Sequence, residues 1–299
     1  MGTDSPPSQI LPSGYGKSSA ASQSVPLLVV TPKRRWELPN LVELFERHEM
    51  IASMVWRDIL TLYRQSGLGM MWMLIKPFAQ MVIFTLLFGG LANLDSEGVP
   101  YCVFNFAALV PWTFFSNSLT QSTNSVVTQG HMYSKLVFPR LTLPVAALFS
   151  GSLDFAVQMG ILFLMMAYFG IAPTWNLVWL PFFLLFLLLA AFGISLLLGT
   201  LNVMFRDVNQ SMPVLIQFWM FVSPVVYSSK EIPEQWQYLY ALNPMTGVIN
   251  GIRWSLLNTP TPPDQMAWIS LGMTVVILVV GMLFFQRMQD SFPDYLINP

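Results

Sequence analysis

Long runs of apolar residues limit this chain to one class of protein. One run, residues 177–201, contains no charged residue at all. Hydrophobic residues make up 54% of the 299 residues and charged residues 10%, whereas about a quarter of an ordinary soluble domain is charged. A soluble globule of this size would lack the charge to cover its surface, and a disordered chain would be poor in apolar residues. The sequence therefore predicts an all-α integral membrane protein.

Six regions are long enough, or nearly so, to cross a membrane. A spanning helix needs about 20 predominantly apolar residues. The first predicted span begins at Pro77, a residue that suits the first turn of a helix. The second is apolar only from Tyr101 to Phe115. The predicted spans are about 77–94, 101–115, 143–169, 177–201, 211–227 and 267–286.

Positive charges set the predicted orientation. Of the 14 Lys and Arg residues, only Lys230 and Arg253 fall in segments that we place outside. The others lie before the first span, after the last, or in the loops on the same side. Because cytoplasmic loops are enriched in Lys and Arg, both termini are predicted to be cytoplasmic.

The amino-terminal region divides into a tail and a helix. Residues 1–32 are rich in Ser, Pro and Gly and are predicted to form a disordered cytoplasmic tail. Within the region 33–70, residues 41–65 carry apolar side chains at helical spacing, with Asn40 as the N-cap and Glu43 completing a capping box. This amphipathic helix is expected to lie in the headgroup plane; the alternative is packing on a soluble partner.

Two polar features lie within the predicted spans. Residues 116–125 are almost entirely polar, so they either lie beyond the cytoplasmic interface or are buried in a bundle or beside a conduit. Asp154 is the one acid well inside a span, and Gln158 shares its helical face. No other span offers an acid or histidine partner, so structural pairing of Asp154 is expected rather than proton relay.

The segment 228–265 is too long for a turn and too polar for a span. Asn243-Pro244 interrupts it, because proline disfavours helix for the residue before it. A pair of short re-entrant helices around this break is predicted, and these helices could form a lid over a conduit. The predicted gate residues are Asn243, Pro244 and Arg253.

Composition argues against several kinds of site. One cysteine and two histidines do not supply the ligands of a zinc centre. A net charge of −1 gives no basic excess for a nucleic-acid partner. No catalytic, cofactor-binding or metal-binding residue is predicted.

Several short motifs occur in order over about residues 41–290. They are Arg57-Asp58, Tyr63-Arg64-Gln65-Ser66-Gly67-Leu68-Gly69, Trp72, Pro77, Val110-Pro111-Trp112-Thr113-Phe114-Phe115, Lys135-Leu136-Val137-Phe138-Pro139-Arg140, Phe205-Arg206-Asp207-Val208, Ser223-Pro224-Val225-Val226-Tyr227 and Leu242-Asn243-Pro244-Met245. The ordered set resembles the permeases of type-2 ABC exporters that move O-antigen, capsule and teichoic-acid polysaccharides.

The resemblance implies how the subunits assemble and which segment of this chain has which role. Residues 71–290 would form a six-helix permease with gate helices at about 228–258 and a cytoplasmic end at 291–299. Two copies would pair with two ATPase subunits, which bind ATP and Mg; this chain would bind no cofactor. The coupling helix would dock on the ATPase through His131, Met132, Tyr133, Lys135 and Arg140. The interface helix would contain Arg57, Asp58, Tyr63 and Arg64.

The resemblance also implies a conduit between the two permeases, along the first and fifth spans. Aromatic rings stack on the apolar faces of sugars and would let a polymer slide. For any single aromatic residue, a place in the membrane belt or in the core is the alternative. The predicted lining residues are Phe84, Phe88, Trp112, Phe115, Phe218, Trp219 and Tyr227.

The predicted function is ATP-driven export of lipid-linked polysaccharide from the cytoplasm across the cell inner membrane. One alternative is a type-2 exporter of another lipid or of drugs. A different class is a membrane-embedded glycosyl or acyl transferase, which would require acids or histidines gathered at one membrane face.

Overall fold

The computed structural model describes residues 46–64, 71–128, 141–205, 207–260, 262–289 and 292. The described residues fall within the larger of two units of the chain, Arg35–Pro299. The predictions for the tail, for Asn40 and Glu43, and for the coupling helix lie outside the described residues.

Ten α-helices contain most of the described residues, and none of these residues forms a β-strand, which confirms the all-α class for this part of the chain. The helices are α1 (His48–Arg64), α2 (Trp72–Phe84), α3 (Tyr101–Thr128), α4 (Thr142–Phe149), α5 (Ser152–Tyr168), α6 (Leu180–Met204), α7 (Asp207–Val222), α8 (Glu234–Ala241), α9 (Pro244–Leu257) and α10 (Gln265–Met288). A π-helix continues α2 over Thr85–Leu91, and 3₁₀ turns lie at Trp175–Trp179 and Ser229–Glu231.

Four segments of the described chain are long and apolar enough to cross a membrane. They match the first, third, fourth and sixth predicted spans and confirm a multi-pass membrane protein. The second and fifth predicted spans are helical, as α3 and α7, but α3 has a polar second half and α7 has only 16 residues. The count of six spans therefore stays a prediction. The four segments are Trp72–Leu91, Thr142–Tyr168, Trp175–Met204 and Gln265–Met288.

The prediction that Pro77 opens the first span is wrong. The helix α2 begins at Trp72, and Pro77 lies in its interior. Residues 72–76 include Met, Leu and Lys, which favour helix, so the helix extends ahead of the proline. Pro111 in α3 and Pro213 in α7 are also interior. Each removes one backbone hydrogen bond from its helix.

The third predicted span is confirmed as Thr142–Tyr168, and a short turn divides it into two helices. Ser150 and Gly151 separate α4 from α5. Asp154 therefore lies in the first turn of α5, where the unpaired N–H groups and the helix dipole favour a carboxylate. It remains near the middle of the span Thr142–Tyr168 as a whole.

Polar side chains on the second half of α3 are buried in the helix bundle. Ser118 Oγ donates to the carbonyl of Leu148 at 2.9 Å, and Ser122 Oγ donates to the carbonyl of Pro144 at 2.9 Å. From α6, Asn202 Nδ2 donates to the side-chain oxygen of Asn124 at 3.1 Å. These bonds show that the segment packs between helices; its depth relative to the cytoplasmic interface stays a prediction.

The helices α6 and α10 touch through their backbones at Gly193 and Gly281. A Cβ atom on Gly193 would lie 2.7 Å from the Cα atom of Leu278, and one on Gly281 would overlap the carbonyl oxygen of Gly193. Small residues allow such close approach of membrane helices. Only glycine fits at this crossing without a shift of the backbone.

The helix α1 confirms the amphipathic prediction over the described residues. Its buried Met54, with partly buried neighbours, packs on Leu143 and Ala146 of α4. Trp56 and Leu60 stay exposed on another side. One apolar face of α1 is therefore used for packing inside the chain, and a second remains available to the membrane surface or to a partner.

Replacing Gly281 by alanine is expected to lower the free energy of unfolding by about 1–3 kcal/mol, because the added methyl group forces α10 away from α6. Gly272→Ala on the same helix is the matched control, since nothing lies within 4 Å of its new Cβ. Thermal unfolding in detergent measures the difference. Equal midpoints for the two variants would contradict the backbone contact.

Candidate functional site

A polar cavity of about 790 Å³ lies between α2, α3, α7 and the α4–α5 junction. Its most unusual feature is a set of five amide side chains, which we call the amide cavity after them. The five are Gln80, Asn117, Gln121, Gln158 and Gln217. Such a concentration of amides inside apolar helices must face protein, water or a ligand, because lipid cannot satisfy their hydrogen bonds.

The amide cavity contains one charge of each sign. Asp154 and Gln158, one helical turn apart on α5, both line it, as their shared face requires. Lys76 also lines it, and its Nζ atom lies 5.8 Å from the ring centroid of Trp72, within cation–π range. The formal charges of these two side chains sum to zero.

Gln158 is the most deeply placed amide. Its side chain is 2% exposed, and its Oε1 atom has no hydrogen-bond partner within the described chain. Sequence reasoning singled out Gln158 but missed Gln80, Gln217 and Lys76. The available signal was an amide within each of the first and fifth spans, where an apolar residue is the ordinary choice.

Three of the predicted conduit aromatics form one cluster of contacting rings. Trp112 and Phe115 have ring centroids 5.5 Å apart, and Phe115 meets Trp219 edge-on at 5.4 Å. Trp112 lines the amide cavity, whereas Phe115 is wholly buried. Trp219 is partly exposed and donates through Nε1 to Asn243 Oδ1 at 3.0 Å.

The other four conduit aromatics lie elsewhere. Phe84 and Phe88 form an edge-on pair with centroids 5.7 Å apart, partly buried against the core. Phe218 points away from the bundle with 69% of its surface exposed. Tyr227 lies beside Tyr240, with centroids 6.4 Å apart. The seven do not form one surface within a single chain, and their role in a conduit stays a prediction.

Arg253 of α9 is buried and bonded to three backbone carbonyls. Nε donates to Phe104 at 3.1 Å, Nη1 to Tyr227 at 3.3 Å and Nη2 to Val225 at 2.8 Å. The guanidinium carbon also lies 3.6 Å from the centroid of the Phe104 ring. Arg253 therefore ties the turn after α7 to the start of α3. The fork of a guanidinium suits this task, because it presents several donors in fixed directions.

Asn243 joins the predicted break to the end of α7. Its Oδ1 atom accepts from the backbone N–H of Met245 at 3.0 Å, which caps α9. Its Nδ2 atom donates to Ser223 Oγ at 2.9 Å. Pro244 follows at the first helical position, which suits proline. Two short helices, α8 and α9, thus flank the break as predicted; their depth in a membrane stays a prediction.

The outer loop before α3 is attached to the same region. Glu97 has a positive φ of 55° and accepts a hydrogen bond from Ser228 Oγ. Lys230 Nζ lies 3.9 Å from Glu97 Oε2. Sequence reasoning missed Glu97, although an acid in an outer loop opposite one of two outer cations was the available signal. Burial raises the pKa of the neighbouring Tyr240, so its hydroxyl stays neutral.

The remaining predicted residues fall in α1 or outside the described chain. Arg57 Nη2 and Asp58 Oδ1 form a surface ion pair at 2.8 Å, a kind that contributes little stability. Tyr63 and Arg64 end α1, and their side chains lie outside the described part. The coupling-helix residues His131, Met132, Tyr133, Lys135 and Arg140 also lie outside it. Among described residues, no cluster of His, Cys, Asp or Glu could hold a metal ion.

Replacing Arg253 by methionine is expected to cost about 3 kcal/mol or more, because it leaves buried carbonyls without donors. Arg57→Met is the control: that cation is 49% exposed and its ion pair with Asp58 lies at the surface, so its loss should cost less than about 1 kcal/mol. Thermal unfolding in detergent compares them. Similar midpoints would refute the bracing role of Arg253.

Comparison with known proteins agrees with this architecture. A family model described as the ABC-2 type transporter matches residues 49–257. The chain is 25% identical over 254 residues to an O-antigen export system permease protein of Myxococcus xanthus, covering 84% of this chain and 97% of the relative. It is 26% identical over 258 residues to an O-antigen export system permease protein of Klebsiella pneumoniae, covering 86% and 97%.

A third relative is the polysialic acid transport protein of Escherichia coli, 24% identical over 256 residues, which cover 81% of this chain and 94% of the relative. The family match takes in more than half of the sequence, from the start of α1 to the end of α9. This chain belongs to the ABC-2 type transporter family.

Proposed function

We propose that this chain is the membrane-spanning subunit of an ATP-driven exporter that carries lipid-linked polysaccharide from the cytoplasm across the inner membrane. The observation that carries the proposal is similarity to O-antigen export permeases along almost their whole length. Relatives that share all the helices share the pathway that those helices form. Membership of a transporter family also favours transport over the transferase alternative.

The proposed subunit has six transmembrane helices and cytoplasmic termini. The two additional spans are α3 and α7. With 28 residues, α3 is about 42 Å long, and its polar half needs no apolar surface because it is buried among other helices. The apolar residues after α7 extend the fifth span toward Tyr227. This topology keeps Lys230 and Arg253 outside and agrees with the positive charge of the other loops.

Two copies would form the conduit between their α2 and α7 helices. Both helices carry large exposed apolar residues, such as Phe78 and Phe218. In the segment Trp72–Leu91 only 17% of the most apolar window is buried within the chain. A second copy or lipid must cover this surface. The predicted aromatic lining then comes from two copies, which accounts for its scattered placement in one.

Energy would come from two ATPase subunits that bind ATP and Mg. The segment from His131 to Arg140 would dock in a cleft on each ATPase. Closure of the ATPases on ATP would shift that segment and rock the permease halves. At the outer face, α8 and α9 would act as the gate, held closed by the bonds of Asn243 and Arg253.

The direct test is reconstitution of this chain with its ATPase in lipid vesicles. ATP should drive movement of lipid-linked glycan across the bilayer, and the glycan should alter the rate of ATP hydrolysis. The control is the same complex with an ATPase that binds but does not hydrolyse ATP. A stable complex that hydrolyses ATP without moving any of a panel of lipid-linked glycans would refute polysaccharide export.

Charge reversal in the proposed coupling segment tests the docking assignment. Lys135→Glu or Arg140→Glu is expected to reduce co-purification of the ATPase severalfold, because the contact is partly electrostatic. Lys17→Glu, in the tail outside the family match, is the control and should leave co-purification unchanged. Unaltered association with normal ATP turnover in both coupling variants would rule out docking through these cations.

A further inference from the structure

We propose that the amide cavity is a sugar-binding site within each subunit, which holds one part of the exported chain through its hydroxyl groups. This inference rests on the proposed function. It differs from the aromatic conduit between two copies, because all of its lining residues belong to a single chain and five of them are amides. Its key residue is Gln158.

The lining has the hydrogen-bonding character of a carbohydrate site. A primary amide offers two donors and an acceptor, and a sugar hydroxyl is both donor and acceptor. Five amides converge on the cavity from α2, α3, α5 and α7. A volume of about 790 Å³ lies within the usual range for small-ligand pockets, about 300–1,000 Å³.

The buried amide oxygen of Gln158 is the second and independent observation. Its side chain lines the cavity and is 2% exposed, yet Oε1 has no partner within the described chain. An unpaired buried polar atom is unfavourable. This oxygen is itself covered, so the amide must turn toward the cavity for a ligand hydroxyl to pair with it and remove the penalty.

The charges and rings select a neutral sugar over other ligands. Lys76 and Asp154 balance, so a diphosphate or another multiply charged anion gains little there. A lipid chain would leave the amides without partners. The side chains of Trp72 and Trp112 also line the cavity and provide flat surfaces on which sugar rings can stack.

The predicted orientation places the amide cavity between the cytoplasmic side and the middle of the membrane. Its residues on α2, Trp72–Gln80, begin at the start of that helix, whereas those on α7, Pro213–Met220, lie from the middle of the helix toward its end. Both helices start from the cytoplasm under the positive-inside rule. The site would therefore hold the polymer part of the way across the membrane.

Thiol labelling tests occupancy directly. Ser116→Cys, which places a thiol on the cavity lining and keeps all five amides, is made in a Cys102→Ser background, which removes the one native thiol, and the full chain is placed in lipid nanodiscs. A small methanethiosulfonate reagent should label the Ser116→Cys thiol. Gly160→Cys on α5 is the control; it has nothing within 4 Å, faces outward, and should label slowly in lipid.

Ligand protection then identifies the chemistry. Neutral disaccharides of glucose, mannose, galactose, rhamnose and N-acetylglucosamine are tested against inorganic phosphate and octanoate. At least one disaccharide should slow labelling about threefold at twice its dissociation constant. Protection by phosphate or octanoate alone overturns the proposal, as does labelling that no disaccharide slows, which would leave a cavity filled only by water.

Transport variants separate this inference from the exporter assignment. Gln158→Met keeps the shape of the side chain but removes its hydrogen bonds and should slow glycan transport at least about tenfold. Gln121→Met, on the accessible side of the cavity, is a second variant that tolerates substitution better. Gln286→Met, a buried glutamine of α10 outside the cavity, is the matched control and should transport normally.

The outcomes distinguish two failures. If the wild-type complex transports and both cavity variants match it, the sugar site is wrong and the exporter assignment stands. If the wild type does not transport but a disaccharide protects the Ser116→Cys thiol, the exporter assignment is wrong and the sugar site stands.

Discussion

Backbone carbonyls that are buried away from water must find donors within the protein, and this constraint organises the part of the molecule around Arg253. The chain after α7 turns at Ser223-Pro224 and leaves the carbonyls of residues 225–227 without helical partners. Arg253 supplies donors to two of them, and the hydroxyl of Tyr101 donates to Val226 at 2.6 Å. Three separate helices, α3, α7 and α9, are joined in this way through a turn that has no regular structure of its own. Arg253 is buried at this position because its guanidinium supplies hydrogen-bond donors that these carbonyls would otherwise lack.

The helices differ in how closely they pack. We call the closely packed helices the firm block and the helices with large exposed apolar surfaces the loose helices. Gly193 and Gly281 bring α6 and α10 together, while Gly247 of α9 would meet Ser270 of α10 if it carried a Cβ atom. These three helices form a closely packed block with α3. By contrast, α2 and α7 present long apolar surfaces outward. The amide cavity lies where the loose helices meet the firm block, a position suited to a site that must open and close.

Sequence reasoning predicted the features that follow from hydropathy and missed those that depend on a partner. Four spans were predictable because a long apolar run is stable only when it is removed from water, as in a membrane. The break at Asn243-Pro244 was predictable because proline disfavours helix at the residue before it, whatever the rest of the fold. The burial of residues 116–125 was not decidable, since serines that bond to carbonyls of another helix have the same composition as a solvated loop. The sequence indicated part of the amide cavity through Asp154, Gln158 and the polar residues 116–125, but Gln80 and Gln217 gain meaning only when α2 and α7 are placed together.

The interior prolines give the loose helices a mechanical property. Pro77 and Pro213 both line the amide cavity. Each lacks a backbone N–H, so its helix has one hydrogen bond fewer at that position. Bending α2 or α7 at that level therefore breaks fewer bonds than bending it anywhere else along its length. We therefore expect α2 and α7 to bend most easily at the level of the amide cavity. The positions where α2 and α7 bend most easily and the polar side chains of the cavity thus lie at the same level of the helix bundle.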